Sequence, residues 1–205
     1  MTYLRLGVLV SGRGTNLAAV LGAIQRGELK ARVVVVASNR PEAPALHRAR
    51  EVGIPTIVAP RSAFGTRREQ QLSLARALQE RGVELVVLAG FDQILGPEFL
   101  DAFPQRIINL HPSLLPSFGG TMHAVAEALA HGVKVTGCTV HFVTSEVDAG
   151  PIIVQECVPV HEDDTVETLA ARVREREHVA LPRAINLIAE GKVRVEGRRV
   201  RILET

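Results

Sequence analysis

Tryptophan is absent from this chain, and aromatic residues of every kind make up only 3% of it. Proteins that grip single-stranded nucleic acid stack bases on aromatic side chains beside a basic stripe. Here 24 basic residues stand against 22 acidic ones, a net charge of only +2, so nucleic acid is excluded as the primary partner. Long hydrophobic runs are missing too: none reaches membrane-spanning length. Leu4–Val10 is apolar but runs straight into a glycine loop without a cleavage-like site, so no secretory leader is read there and a cytoplasmic location is expected. Cysteine is scarce. Cys138 and Cys157 cannot make a disulfide framework or a zinc site. Each lies in an apolar, β-branched stretch and reads as a small buried core residue. No cluster of side chains has metal-ligand spacing, so no metal is expected.

What the chain does have is core-forming material. Hydrophobic residues are 46% of 205 and charged ones 22%, the balance of a folded globular protein with ample interior. Apolar runs at 4–10, 32–37, 56–58 and 85–89 read as buried strands. Helical patterns near 16–26, 43–51 and 66–81 lie between them. Short continuous apolar strands alternating with helices imply an α/β fold, a mostly parallel twisted sheet with helices on both faces. After residue 111 the pattern changes. A short helix near 123–130 leads to strands at 135–143 and 152–160, joined by a turn-sized connection at 146–151. Such a pair is expected to be antiparallel. Thr165, preceded by Asp163 and Asp164, is placed to cap a long helix running to about Ala189. Glu196-Gly197-Arg198 marks a terminal hairpin within 193–202. One domain spanning 1–205 is the economical reading, with a phosphate-binding half (1–105) and a catalytic half (106–205).

The most informative segment is Arg106-Ile107-Ile108-Asn109-Leu110-His111, an apolar strand stopped by Pro112. Residues i and i+2 of a strand share a face. Asn109 and His111 therefore project together from the carboxyl end of a strand, where open α/β sheets bind ligands. An amide can donate to a developing oxyanion and an imidazole can shuttle a proton, while a carboxylate can orient the imidazole. Asp148, in Asp148-Ala149-Gly150-Pro151, is the candidate carboxylate, although aspartate is common in such turns for local reasons. His141, on a β-branched strand, reads as a hydrogen-bonded packing residue.

A second signal is Ser11-Gly12-Arg13-Gly14-Thr15-Asn16, directly after the first strand and opening the first helix. Glycines allow close approach, and a helix amino terminus offers unpaired N–H groups and a positive dipole end. Leu17 stands where a dinucleotide fingerprint has its third glycine. The second strand ends in Ser38-Asn39-Arg40, without an acid for a ribose diol. A phosphate monoester thus fits better than NAD, and a purely structural turn is the bland alternative.

Together these pieces closely resemble the glycinamide ribonucleotide formyltransferase family, the folate-dependent transformylases of purine biosynthesis. The resemblance is carried by Ser11–Leu17, Val87-Leu88-Ala89-Gly90-Phe91, Asn109-Leu110-His111-Pro112-Ser113-Leu114-Leu115-Pro116, Thr139–Val143, Asp148–Ile153 and Arg172-Val173 with Glu177-His178. It implies a Rossmann-like formyltransferase fold and transfer of formyl from 10-formyltetrahydrofolate, as co-substrate, to the amine of glycinamide ribonucleotide. It implies that Asn109, His111 and Asp148 are catalytic. Gly14, Thr15, Asn16, Arg174 and Glu177 would hold the ribonucleotide. Arg67, Asp92, Gln93, Ile94, Leu95, Asn109, Thr144, Ser145, Glu146, Val147 and Asp148 would line the folate site. Two departures stand out. Asp92-Gln93 replaces the family's usual Met-Arg or similar basic pair. Phe118-Gly119-Gly120-Thr121-Met122-His123 replaces a Pro-Gly pair with a stretch one residue longer. The nearest rival is a 10-formyltetrahydrofolate hydrolase, using the same three residues with water as acceptor. That family usually carries an extra amino-terminal domain. The oligomeric state is not readable from the sequence.

Overall fold

A computed structural model describes residues 3–203. The strands are β1 (Leu4–Val10), β2 (Ala31–Ser38), β3 (Thr56–Val58), β4 (Leu85–Leu88), β5 (Ile107–His111), β6 (Val135–Phe142), β7 (Ile152–Pro159), β8 (Val193–Glu196) and β9 (Arg199–Ile202). The helices are α1 (Thr15–Gln25), α2 (Pro44–Glu51), α3 (Arg67–Glu80), α4 (Pro97–Ala102), α5 (Ala124–His131) and α6 (Val166–Ala189). Seven strands form one sheet in the order β3-β2-β1-β4-β5-β6-β7, and β8 and β9 form a separate hairpin. The β1–β2, β1–β4, β2–β3 and β4–β5 pairs are parallel, whereas β6–β7 is antiparallel. The expected α/β architecture and its antiparallel element are both present. The helix α4 and a 3₁₀ turn at Arg61–Ala63 were not anticipated. Both are too short for a full apolar period, and α4 is announced only by Pro97 at its first turn.

The chain divides into two compact units, Met1–Asn109 and Leu110–Thr205. In the first, β1 is buried along its carboxyl-terminal five residues and β4 throughout. These are the near-continuous apolar strands that a parallel sheet buries on both faces. Helix α3 opens with a reciprocal cap: Glu69 N–H donates to Thr66 Oγ1 at 3.1 Å and Thr66 N–H to Glu69 Oε2 at 3.0 Å. Each bond satisfies a donor that the helix start leaves orphaned.

In the second unit, α6 packs Leu169, Val173, Ala180, Leu181, Ala184 and Ile185 into the core, and Thr165 caps it as expected. Asp164 accepts two bonds from Arg172, at 2.8 and 2.9 Å, and one from the His161 N–H at 2.8 Å. The Arg172 bonds first, then the His161 N–H, hold its carboxyl well below the usual carboxylate range. Cys138 is buried, but Cys157 is exposed. The expectation of two core cysteines fails for Cys157 because β7 is buried on only one side along its second half, where Val158 points inward and Cys157 outward.

Replacing Thr66 with alanine should lower stability by about 1 kcal/mol. Chemical denaturation of both proteins measures it, and an unchanged midpoint would mean the cap is idle.

Candidate active site

In the second unit, β5 ends by delivering His111 into a buried position, with its side chain 6% exposed. Its Nδ1 lies 3.2 Å from Asp148 Oδ2, and its Nε2 donates to the Phe118 carbonyl at 2.8 Å. Both ring nitrogens face oxygen acceptors, so both bonds are satisfied only when the imidazole carries a proton on each. Asn109, two residues earlier on β5, is half-buried and lies opposite Leu88 in the β4 register.

Asp148 adopts φ +53, a left-handed conformation that aspartate tolerates better than most residues. Its side chain is 10% exposed. Oδ2 also accepts the Gly120 N–H at 2.8 Å, and Oδ1 lies 3.5 Å from His141 Nε2. Burial resists ionisation of Asp148, but bonds from His141 and the Gly120 N–H, with the charge of His111, prevail and hold its carboxyl at about 2. His141, read from sequence as packing, thus belongs to the site. Thr139 and His141 form a second polar i, i+2 pair on a buried strand, the same signal that singled out Asn109 and His111.

The loop after His111 is strapped to β6 and β7. Thr139 Oγ1 donates to the Ser113 carbonyl at 2.7 Å and accepts from the Leu115 N–H at 3.0 Å. Gln155 donates to the Leu115 carbonyl at 3.0 Å. The Phe118–Gly120 stretch, where the sequence departs from the family pattern, is then latched twice: through the Phe118 carbonyl to His111 and through the Gly120 N–H to Asp148. Thr144, Ser145, Glu146 and Val147 lie on the connection leading into Asp148, and all four are exposed. On α6, Arg174 and Glu177 are three residues apart, one turn of the helix, with Arg174 half-buried. Glu177 is close enough to β6 to add to the burial that pushes the Cys138 thiol up to about 12.

In the first unit, Gly14 caps α1 at φ +75, and Thr15 and Asn16 form the helix's first turn. A Cβ at Gly14 would lie 2.6 Å from Ala45 Cβ, so α2 itself requires this glycine. Around Gly12 nothing would meet an added Cβ within 4 Å, and its carbonyl accepts the Ala45 N–H at 3.2 Å.

Asp92 turns toward this loop. Its Oδ1 accepts from Asn39 at 2.7 Å and from Ser11 at 2.9 Å, while Oδ2 pairs with Arg40. Burial opposes its charge, but the Asn39, Ser11 and Arg40 bonds outweigh that and lower its pKa. Gln93 is half-buried, Leu95 is buried, and Ile94 is 58% exposed. Arg67 donates to the Ile94 carbonyl, as does Gln71 at 2.9 Å. Arg67 and Asp92 are therefore both engaged within their own unit. Among the described residues no group of three or more His, Cys, Asp and Glu side chains has a metal-holding arrangement, and no helix is long and apolar enough to cross a membrane.

The formyl transferase family model matches residues 4–185. This chain is a member of the formyl transferase family. The match takes in the glycine loop, the β5 pair, the Asp148 turn and most of α6. The chain is 38% identical over 192 residues to phosphoribosylglycinamide formyltransferase of Haemophilus influenzae, covering 94% of this chain and 90% of that protein. It is 48% identical over 191 residues to the trifunctional purine biosynthetic protein adenosine-3 of Gallus gallus, covering 93% of this chain but only 19% of the relative's length. Its structure matches that of glycinamide ribonucleotide transformylase 1 from Symbiobacterium toebii at a TM-score of 0.97 and 51% identity, covering 99% of this chain and 95% of that one. A formyltetrahydrofolate deformylase from Pseudomonas syringae matches at a TM-score of 0.91 and 29% identity, over 98% of this chain and 66% of that one.

Asp148 sets an acid limit. A carboxyl held at about 2 when folded and near 3.9 when unfolded stabilises the fold above about pH 4, and that share is lost as pH falls through 2. The share is about 3 kcal/mol by that difference. Asp148→Asn should flatten the fall in stability over this window in acid titrations. An identical fall in both proteins would show that Asp148 is not held ionised.

Proposed function

We propose that this chain is a phosphoribosylglycinamide formyltransferase, moving the formyl group of 10-formyltetrahydrofolate to the glycyl amine of glycinamide ribonucleotide. The observation that carries this reading is the buried His111–Asp148 contact at the carboxyl end of β5, with Asn109 two residues away on the same strand. Relatives of that name, matching nearly end to end, support it. In the proposed reaction the neutral amine attacks the formyl carbon and the carbonyl electron pair moves onto oxygen. The Asn109 amide and the His111 imidazolium donate hydrogen bonds to that oxygen. When the carbonyl re-forms, the bond from carbon to the folate nitrogen breaks. That nitrogen gains a proton and the amine loses one, through His111 or a water molecule. Asp148 serves as a fixed negative charge that orients and charges the imidazole. The Phe118 carbonyl gives up or shares His111 Nε2 when the formyl oxygen arrives.

The loop at Gly12–Asn16 and the start of α1 take the ribonucleotide phosphate in this reading, with Arg174 and Glu177 reaching the rest of that substrate. The family resemblance gives residues 92–95 in the first unit and 144–148 in the second as the candidate folate contacts. Ile94 supplies exposed apolar surface, while Leu95 contributes backbone. The bonds of Arg67 and Asp92 make them braces of that surface as much as contacts. The hydrolase alternative uses the same dyad with water in place of the amine. The higher identity to transformylases than to the deformylase favours transfer.

Incubating 10-formyltetrahydrofolate with and without glycinamide ribonucleotide separates the two: folate release should depend on the amine, and equal release without it would establish hydrolysis. His111→Ala should cut turnover about 10²–10⁴-fold with both substrates still bound. Gly12→Ala places a methyl in open space of the free protein. It should weaken ribonucleotide binding about tenfold or more and leave folate binding unchanged by calorimetry. Equal loss of both would put the phosphate elsewhere.

A further inference from the structure

Asp148 has two oxygens, and each faces a different imidazole. Oδ2 is committed to His111 Nδ1 at 3.2 Å and to the Gly120 N–H at 2.8 Å. Oδ1 faces His141 Nε2 at 3.5 Å. His141 is 2% exposed, and its Nδ1 donates to the Phe142 carbonyl at 2.9 Å. That bond leaves the ring's other edge directed at the carboxylate. The backbone holds the turn in place for this contact. Val140 pairs with Val154 and His141 with Ile152, so Ile153 is an extra residue on β7, a β-bulge. A bulge of this kind bends its strand and redirects the neighbouring side chains. Next to the bulge, the Phe142 N–H donates to the Pro151 carbonyl at 2.9 Å, and Gly150 lies so close to the Phe142 carbonyl that no side chain fits. The Asp148 turn is thereby folded back over the end of β6, where His141 stands.

We propose that His141 is a positioning residue for formyl transfer: its Nε2–H occupies Asp148 Oδ1 and so keeps Oδ2 committed to His111. This rests on the transferase reading of the site. A carboxylate with one open oxygen swivels about its Cβ–Cγ bond or draws in water, and either outcome loosens the imidazole it orients. With both oxygens held, the carboxylate plane is fixed. His141 then never touches a substrate and acts on the reaction only through Asp148. The groups facing Asp148 agree with this assignment: of His141, the Gly120 N–H and His111, the bond from His141 is the strongest influence keeping its carboxyl low.

The test compares H141L, which fills the space without a donor, with H141Q, which restores one. Two readouts are taken: the carboxyl ¹³C titration of Asp148 in the free protein, and kcat with both KM values. In H141L, Asp148 should titrate above its parent position of about 2, toward the ordinary value near 3.9. Its kcat should fall about tenfold to a hundredfold with both KM values within about twofold. H141Q should recover most of both. In an Asp148→Asn background, H141L should cost less than about twofold further, because a residue acting through Asp148 has nothing left to act on. An unmoved Asp148 titration in H141L, or the full kcat loss persisting in the Asp148→Asn background, overturns the proposal. If H141L does not fold, H141A takes its place with the same readouts: a raised Asp148 titration with reduced kcat supports the proposal, and a parent-like titration overturns it. Should the parent chain transfer no formyl group, the proposed activity fails while the Asp148 titration still reads the His141 contact.

Discussion

One carboxylate between two imidazoles organises the second unit of this protein. Asp148 is almost wholly buried, and a buried charge is tolerated only when it is paired and hydrogen-bonded. Four features meet that requirement together: His111 at the end of β5, His141 on β6, the Gly120 N–H from the latched loop, and the bulge that folds the Asp148 turn back onto β6. None is useful alone. Without the strapping of Ser113 and Leu115 by Thr139 and Gln155, the loop has no fixed course. Without that course, Gly120 and Phe118 do not reach the dyad. The polar interior is dense because a carboxylate only 10% exposed must find its partners within the protein.

The first unit solves a different problem by similar means. The carboxyl ends of β1 and β2 and the segment after β4 are tied by Ser11, Asn39, Arg40 and Asp92 through side-chain bonds. An acid beside a loop read as phosphate-binding is electrostatically awkward, and Arg40 offsets it. The arrangement gives Asp92, a departure from the family pattern, a structural use in stiffening the base of the glycine loop.

Period and punctuation carried most of the fold in the sequence. The apolar runs of β1 and β4, the Thr165 cap and the hairpin around Gly197 are local signals, each decided by a few neighbouring residues. Asn109 and His111 were legible because a buried strand rarely places two polar groups on one face unless they serve a site. Contacts made through backbone atoms were not legible. Nothing in the letters of Phe118 and Gly120 says that a carbonyl and an N–H will close on His111 and Asp148. Partners distant in sequence were equally hidden. Gly14 looked like a concession to a ligand, yet Ala45 demands it. Arg67 was expected to line the folate site, and nothing in its neighbours says that it also donates to the Ile94 carbonyl. His141 was discounted because one histidine on a β-branched strand is ordinary, and only the returning turn shows what it faces.

The match to formyl transferases and the dyad at the end of β5 both support the proposed direct transfer of a formyl group. In the proposed reaction the protein supplies orientation and fixed charge, and the acceptor amine supplies the nucleophile. The most direct test of that account is single turnover with ¹³C-formyl-labelled donor and glycinamide ribonucleotide in H₂¹⁸O, with the products read by mass spectrometry. Direct amine attack predicts that the label arrives in the formylated amine with its original oxygen and that no ¹⁸O-formate accompanies it. Turnover accounted for by ¹⁸O-formate would contradict the account and make water, not the amine, the acceptor.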